Sequence, residues 1–329
     1  MRHSIRAMSY SAAALAAGML VAAPAFGQAA STDTAAAAKV ATSDTAFTPP
    51  RTPDGAPDLS GVWSNATKVP LERPIKGQGP VGPRAVQPAG GLAVHYDNSQ
   101  FGLDRSHNVV AEDTRTSLVT TPDGRIPPRT PEAQQRIAAR AAYNRVHQWD
   151  GAETRPLGER CILWPNEGPP MLSPGYNSDL QIVQGPGYVA ILQEMIHDVR
   201  MIPTDGQPHL PANIHQWMGD SRGHWEGNTL VVDTTNFTDK TAFQGSSDHL
   251  HVVERFTRTS GNTLRYEFTV DDPHTWATPW SASTTWKMTD GPIYEYACHE
   301  GNYGLENNLS GERAQEKKAA EEAAPKQTN

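Results

Sequence analysis

From residue 263 to 271 the chain alternates without a break. Leu264, Tyr266, Phe268 and Val270 fall on one side; Arg265, Glu267, Thr269 and Asp271 fall on the other. A period of two is that of a β-strand with one face packed. The polar side reads either as a solvated outer wall or as a wet barrel interior. Similar short patterns predict strands over 59–64, 179–184, 188–193, 195–203, 229–233, 249–257, 280–288 and 293–298. On 249–256, His249, His251, Val253 and Arg255 share one face, and Leu250, Val252, Glu254 and Phe256 the other. Gly185-Pro186-Gly187 and Glu226-Gly227-Asn228 read as hairpin turns. About nine strands with tight connections predict an all-β, antiparallel β-barrel, because closure removes exposed sheet edges. No strand–helix alternation and no glycine-rich phosphate loop is present, which argues against a nucleotide-binding fold.

The rest of the chain is organised differently. A Pro/Gly-rich insertion over 64–157 carries one clear helix, 131–146. Thr130 suits its N-cap, Pro131 its first position and Glu132 its positive end. Residues 1–27 read as a secretory signal, with Arg2 and Arg6 before an apolar stretch too short to span a bilayer and small residues up to Gly27. An Ala/Thr/Ser-rich leader follows over 28–50. The charged tail, 312–329, reads as a fraying helix or as disorder. The single barrel domain is expected over 51–311.

Charge narrows the partners. The net charge of −8 becomes about −10 once Arg2 and Arg6 are removed, so no nucleic-acid partner is expected. A mean hydropathy of −0.57 is incompatible with a polytopic membrane protein. The chain has two cysteines, Cys161 and Cys298. Export permits a disulfide between them; two buried thiols are the alternative. Their isolation from any CxxC pair argues against a zinc knuckle.

Gly61-Val62-Trp63 resembles the lipocalin signature, and this resemblance implies a tryptophan closing one end of the barrel. A longer run, Gly219-Asp220-Ser221-Arg222-Gly223-His224-Trp225-Glu226-Gly227-Asn228-Thr229-Leu230-Val231-Val232-Asp233-Thr234, accompanies Val252-Val253-Glu254-Arg255-Phe256 and Glu295-Tyr296-Ala297-Cys298-His299-Glu300-Gly301-Asn302. Together these resemble an abundant group of exported bacterial proteins with no established activity. That resemblance implies export and a β-rich fold and transfers no catalytic residue.

Candidate chemistry comes from polar residues near strand ends. His299 is the expected general base, with Glu300 or Glu267 stabilising the imidazolium. Asn302 adds a polar group to the same turn. Glu194 and Arg200, six apart, share a face on a regular strand, as an ion pair or as a carboxylate and a cation around a substrate. His251 is a further acid–base candidate. With His249 it has a spacing that suits a metal, and Glu194, His209, His215 or His299 could supply a third ligand. No metal or organic cofactor is assigned on these grounds, and a metal stays open. His209 and His215 fall in a loop suited to a lid. Trp217, Trp276 and Trp280 would stack on a ring, with core packing as the alternative. Residues 219–222 read as a turn with Asp220 accepting backbone N–H groups.

The resulting expectation is a periplasmic or secreted, cofactor-free enzyme acting by acid–base chemistry on a small carbohydrate or phenolic molecule, as a lyase, isomerase or hydrolase. The catalytic candidates are His299, Glu300, Glu267, His251 and Glu194. Arg200, His215, Trp217, Trp280 and Asn302 are the substrate-binding candidates. A non-catalytic lipocalin-like binder of a small ligand is the second reading, and an envelope interaction module the third.

Overall fold

The alternation in 263–271 becomes a strand whose apolar members all face inward, with Leu264, Tyr266, Phe268 and Val270 buried. In this computed structural model, which describes residues 47–75, 113–241 and 243–324, nine strands form one antiparallel sheet. They are β1 (Gly61–Ser64), β2 (Asp179–Gly185), β3 (Tyr188–Gln193), β4 (Val199–Pro203), β5 (Asp220–Glu226), β6 (Thr229–Thr235), β7 (His251–Ser260), β8 (Thr263–Asp271) and β9 (Trp280–Met288). Their order is β4-β3-β2-β1-β9-β8-β7-β6-β5. Short β1 joins the two meanders: it pairs with β2 along its whole length, and Trp63 and Ser64 also pair with Met288 and Lys287 of β9. The sheet curls into a nearly closed barrel. The expected signal segment over 1–27, most of the expected leader, residues 76–112 of the insertion and the end of the tail lie outside the described residues.

The remaining seam lies between β4 and β5, the two ends of the strand order. Side chains bridge it. Arg200 Nε of β4 donates to Ser221 Oγ of β5 at 3.0 Å. Gly223 of β5 lets the edges approach, since a Cβ there would lie 2.9 Å from Ile202 Cγ2. Gly223→Val should therefore destabilise the protein by about 1–3 kcal/mol through overpacking, measurable by denaturant unfolding.

The lumen is filled by side chains. Tyr266 lies 4.9 Å from both Phe256 and Trp286, ring centre to ring centre, and Phe268 meets Trp280 edge-on at 5.9 Å. Trp63 is fully buried; its indole N–H donates to the Leu59 carbonyl, and the Arg258 guanidinium lies 5.5 Å from its ring. Within this aromatic core runs a polar belt built by five successive strands. Arg200, Ser221, Thr234, Glu254 and Tyr266 come from β4, β5, β6, β7 and β8 respectively. Arg200 donates both terminal nitrogens to the Glu254 carboxylate and one also to Thr234 Oγ1. Tyr266 donates its hydroxyl to Glu254 at 2.7 Å and accepts the Met171 N–H at 2.7 Å. Arg200 and Glu254 are 2% and 0% exposed, so this charge pair has exchanged water for a complete set of partners.

Two helices stand outside the sheet: α1 (Pro131–His147) and α2 (Gly304–Ala323). The first has the expected cap, with Thr130 Oγ1 accepting the Ala133 N–H at 3.1 Å. The second begins upstream of the expected tail and buries none of its residues. No helix among the described residues is long and apolar enough to cross a membrane.

Three local expectations are corrected. Asp220, Ser221 and Arg222 lie on β5 and not in a turn, because each pairs across to β6. Asp220 still accepts a backbone N–H, from Leu210 at 2.9 Å. Residues 293–298 form no strand: β9 has β8 on one side, and its other edge is taken by β1 at 287–288 and by residues 118–120 at 281–283. Residues 195–203 do not run straight. A single helical turn, Met195–His197, interrupts them, with Ile196 at φ 61° and His197 at φ 52°. Glu194 and Arg200 are thereby parted, and the arginine's carboxylate partner is Glu254.

Candidate functional site

The disulfide expected from the isolated cysteine pair is present, joining Cys161 to Cys298 across 137 positions. It fits an oxidising compartment. It straps the segment after β9 onto the loop 155–178 that precedes β2. A second tie comes from His197, whose Nδ1 lies 2.8 Å from the Tyr296 carbonyl oxygen. The ring must donate from Nδ1 to make this bond, since a carbonyl only accepts.

Three carboxyl groups gather close to these ties: Glu167 from the loop, and Glu194 and Asp198 from the two ends of the kinked turn. Glu167 is 5% exposed. Burial, reinforced by the charges of Asp198 and Glu194, pushes its carboxyl up to about 9, so it keeps its proton at neutral pH. Asp198 is also pushed up, by burial, against the opposing N–H of Val199 and the neighbouring His197. Glu194 is held by a 3.3 Å bond from the Asp179 N–H to its Oε2. Tyr176 and Tyr296 bond to one another, and burial raises both phenols. Tyr176 is 43% exposed, and its ring meets Trp164 edge-on at 6.2 Å. A cleft of about 380 Å³ opens beside the cluster, lined by Gln193, Glu194, His197, Ile293, Tyr294 and Glu295 among others. The side-chain amide oxygen of the buried Gln193 has no hydrogen-bond partner among the described residues.

Backbone strain gathers in the same place. Among the described residues, five of the seven non-glycine residues with positive φ lie here: Cys161, Asn166, Asn177, Ile196 and His197. Asn166 precedes Glu167, Asn177 follows Tyr176, and Ile196 and His197 separate Glu194 from Asp198. A β-branched residue such as Ile196 strongly resists this conformation. Strain of this kind costs about 1–3 kcal/mol per residue and accumulates where a fixed arrangement of side chains is needed.

Among the sequence candidates, Glu194 joins this cluster, and the disulfide and Asn302 lie at its border. Asn302 Nδ2 lies 3.8 Å from Cys161 Sγ. His299 and Glu300 sit on the exposed turn after Cys298, away from the enclosed setting that a general base at that position requires. Glu267 is on the outer wall, ion-paired with Arg265 at 3.2 Å. His251 is also outside, its Nε2 2.7 Å from Asp233 Oδ2. That bond holds the imidazole above its usual range. Asp233 also meets His209, whose second ring nitrogen faces Asp220, so these groups pin the 204–219 loop to the outer wall. His249 lies against His274 with the rings tilted at 38° instead of joining His251. Arg200 belongs to the buried belt. Trp276 and Trp280 are both 2% exposed and packed in the core, so neither presents a free face for stacking. His215, with Nδ1 2.8 Å from the Phe237 carbonyl, and half-buried Trp217 remain in the loop before β5.

Glu167, Asp198, Tyr176 and Tyr296 were not among the sequence candidates. The one local signal for Glu167 is its setting: a carboxylate within Asn166-Glu167-Gly168-Pro169-Pro170, where the backbone is constrained on both sides. No family model matches this chain, and no curated protein matches it.

Proposed function

We propose that the protein is an exported enzyme that carries out acid–base chemistry on a small organic molecule at the Glu167 cluster. The supporting observation is a buried carboxylic acid that keeps its proton at neutral pH beside a second carboxyl raised by burial. A protonated carboxylic acid beside a second carboxyl group offers an acid and a base in one site. Glu167 donates a proton to a leaving oxygen or a carbonyl. Asp198 takes one from the substrate or from water. Tyr176 and Tyr296 orient the reacting oxygen by hydrogen bonds, and Glu194 meets the substrate on the cleft side. Lyase, isomerase and hydrolase reactions all fit this pair. A carbohydrate or phenolic substrate suits the paired tyrosines Tyr176 and Tyr296.

The test is a product-resolved screen of aryl esters, aryl glycosides and β-hydroxy phenolic compounds, with Glu167→Gln as the blank. Turnover present in the wild type and lost in the variant supports the reading. Turnover equal in both, or none across these classes, rejects it.

The disulfide provides a separate check. Reduction should lower stability by about 2–5 kcal/mol for a loop this long and release the strap that carries Tyr296. Any activity should then fall in step with loss of the disulfide, followed by thiol titration. Full activity in the reduced, folded protein would show that the strap is not needed.

A further inference from the structure

A second cleft lies on the loop that carries Glu167; Glu167 lines neither this cleft nor the first. It encloses about 340 Å³, room for one or two rings. Leu157, Leu163, Trp164 and Phe243 form its apolar lining, while Asn166, Lys240 and Gln244 supply polar groups.

Its aromatic surfaces are fixed in place. Phe243 stacks on Trp280 at 6.2 Å with an interplanar angle of 23°, so it rests on the barrel's aromatic core. Trp164 packs directly over Gly158, where a Cβ would come within 2.8 Å of the indole ring. Both polar amides sit on left-handed backbone, with φ 100° at Asn166 and φ 52° at Gln244. Neither amide side chain has a hydrogen bond among the described residues.

The charge around this cleft opposes that of the whole chain. Asp239, Gln244 and Gly245 are each held by a guanidinium group from α1 or from just before it. Arg140 donates to the Asp239 carbonyl at 2.8 Å, Arg136 to the Gly245 carbonyl at 3.1 Å, and Arg129 to the Gln244 carbonyl at 2.8 Å. A carbonyl satisfies a donor and leaves its charge in place. None of these three arginines, nor Lys240, forms an ion pair among the described residues. Asp239 is the acidic group next to Lys240 in the loop. A locally positive, apolar cleft on a chain of net charge −8 selects anions by field as well as by contact.

We infer that this cleft binds an aromatic monoanion, an aryl carboxylate. The ring lies between Trp164 and Phe243, and the carboxylate meets the Lys240 ammonium with the Asn166 and Gln244 amides beside it. The arginines raise the potential while their donors stay on the loop carbonyls, so one ammonium contacts the ligand and a single negative charge is matched. The inference is independent of the chemistry assigned to Glu167.

Calorimetric titration of the full-length protein with 2-naphthoate, and with uncharged 2-naphthamide as its comparison, tests it. Naphthoate should bind saturably, one per chain, and at least about tenfold more tightly than naphthamide. Lys240→Met should weaken naphthoate binding by about tenfold or more, as should about 0.5 M salt. Trp164→Ala should weaken both compounds. Arg255→Met, which removes one positive charge from the outer barrel wall, should leave binding unchanged. The inference is overturned if naphthoate fails to saturate, if naphthamide binds equally well, or if Lys240→Met behaves like Arg255→Met.

Discussion

Glu254→Gln should lower the stability of the protein by about 3–5 kcal/mol, with a fall in Tm of roughly 5–15 °C. The size follows from what the substitution leaves behind. Arg200 is buried in the lumen, and both its terminal nitrogens donate to Glu254. A glutamine matches the shape of the carboxylate but supplies one oxygen and no charge, so a guanidinium is left in an apolar interior without its counter-ion. Tyr266 loses its charged acceptor at the same time. Arg200→Met should cost a similar amount by stranding the carboxylate. The triple replacement Arg200→Met, Glu254→Leu, Tyr266→Phe removes the polar groups together and should recover most of the loss, because a buried ion pair contributes little beyond a well-packed apolar equivalent. Chemical unfolding of the four proteins measures this. A single-variant loss below about 1 kcal/mol would mean that water reaches the belt.

The second large effect concerns Glu167. Glu167→Gln should reduce kcat on a substrate found by the screen about 10²–10⁴-fold, the usual cost of removing a general acid. The same variant should be no less stable than the wild type at neutral pH, and more stable at alkaline pH. The sign follows from proton binding. The Glu167 carboxyl titrates at about 9 in the folded protein, against 4.5 for an ordinary glutamic acid. Below 4.5 both states hold the proton. Between 4.5 and 9 the unfolded chain releases it and the folded protein does not, so the stability contributed by Glu167 declines with rising pH and levels off above 9. The decline is on the order of a few kcal/mol. Glutamine does not titrate, so the stability difference between variant and wild type should widen over this range. Loss of activity together with gain of alkaline stability separates a chemical role from a merely structural one, which would lower both.

Much of the barrel was readable because a strand with one packed face repeats every two residues, as in Leu264, Tyr266, Phe268 and Val270. The cap of α1 was readable from Thr130 and Pro131, and the disulfide from the lack of any other cysteine. Errors arose where a local pattern depended on distant structure. Residues 293–298 carry apolar groups that suit a strand, but a strand also needs an unoccupied edge. Glu194 and Arg200 share a face only if the backbone between them is extended, and the left-handed Ile196 breaks that condition. The site was the least readable part. Glu167 is one carboxylate in a loop without periodicity, and the charged neighbours that act on it, Asp198 and Glu194, arrive from another part of the chain. His299 drew attention because it lies in a polar run of sequence, yet the strap turns that run outward after Cys298.

Infrared spectroscopy of the carboxylic acid carbonyl stretch, comparing the wild type with Glu167→Gln as the pH is raised through neutrality to the alkaline range, tests the protonated Glu167 most directly. A protonated-carboxyl band is expected in the wild type and not in the variant, persisting through neutral pH and disappearing with a midpoint at about 9. A wild-type spectrum at neutral pH with no protonated-carboxyl band beyond that of the variant would contradict it.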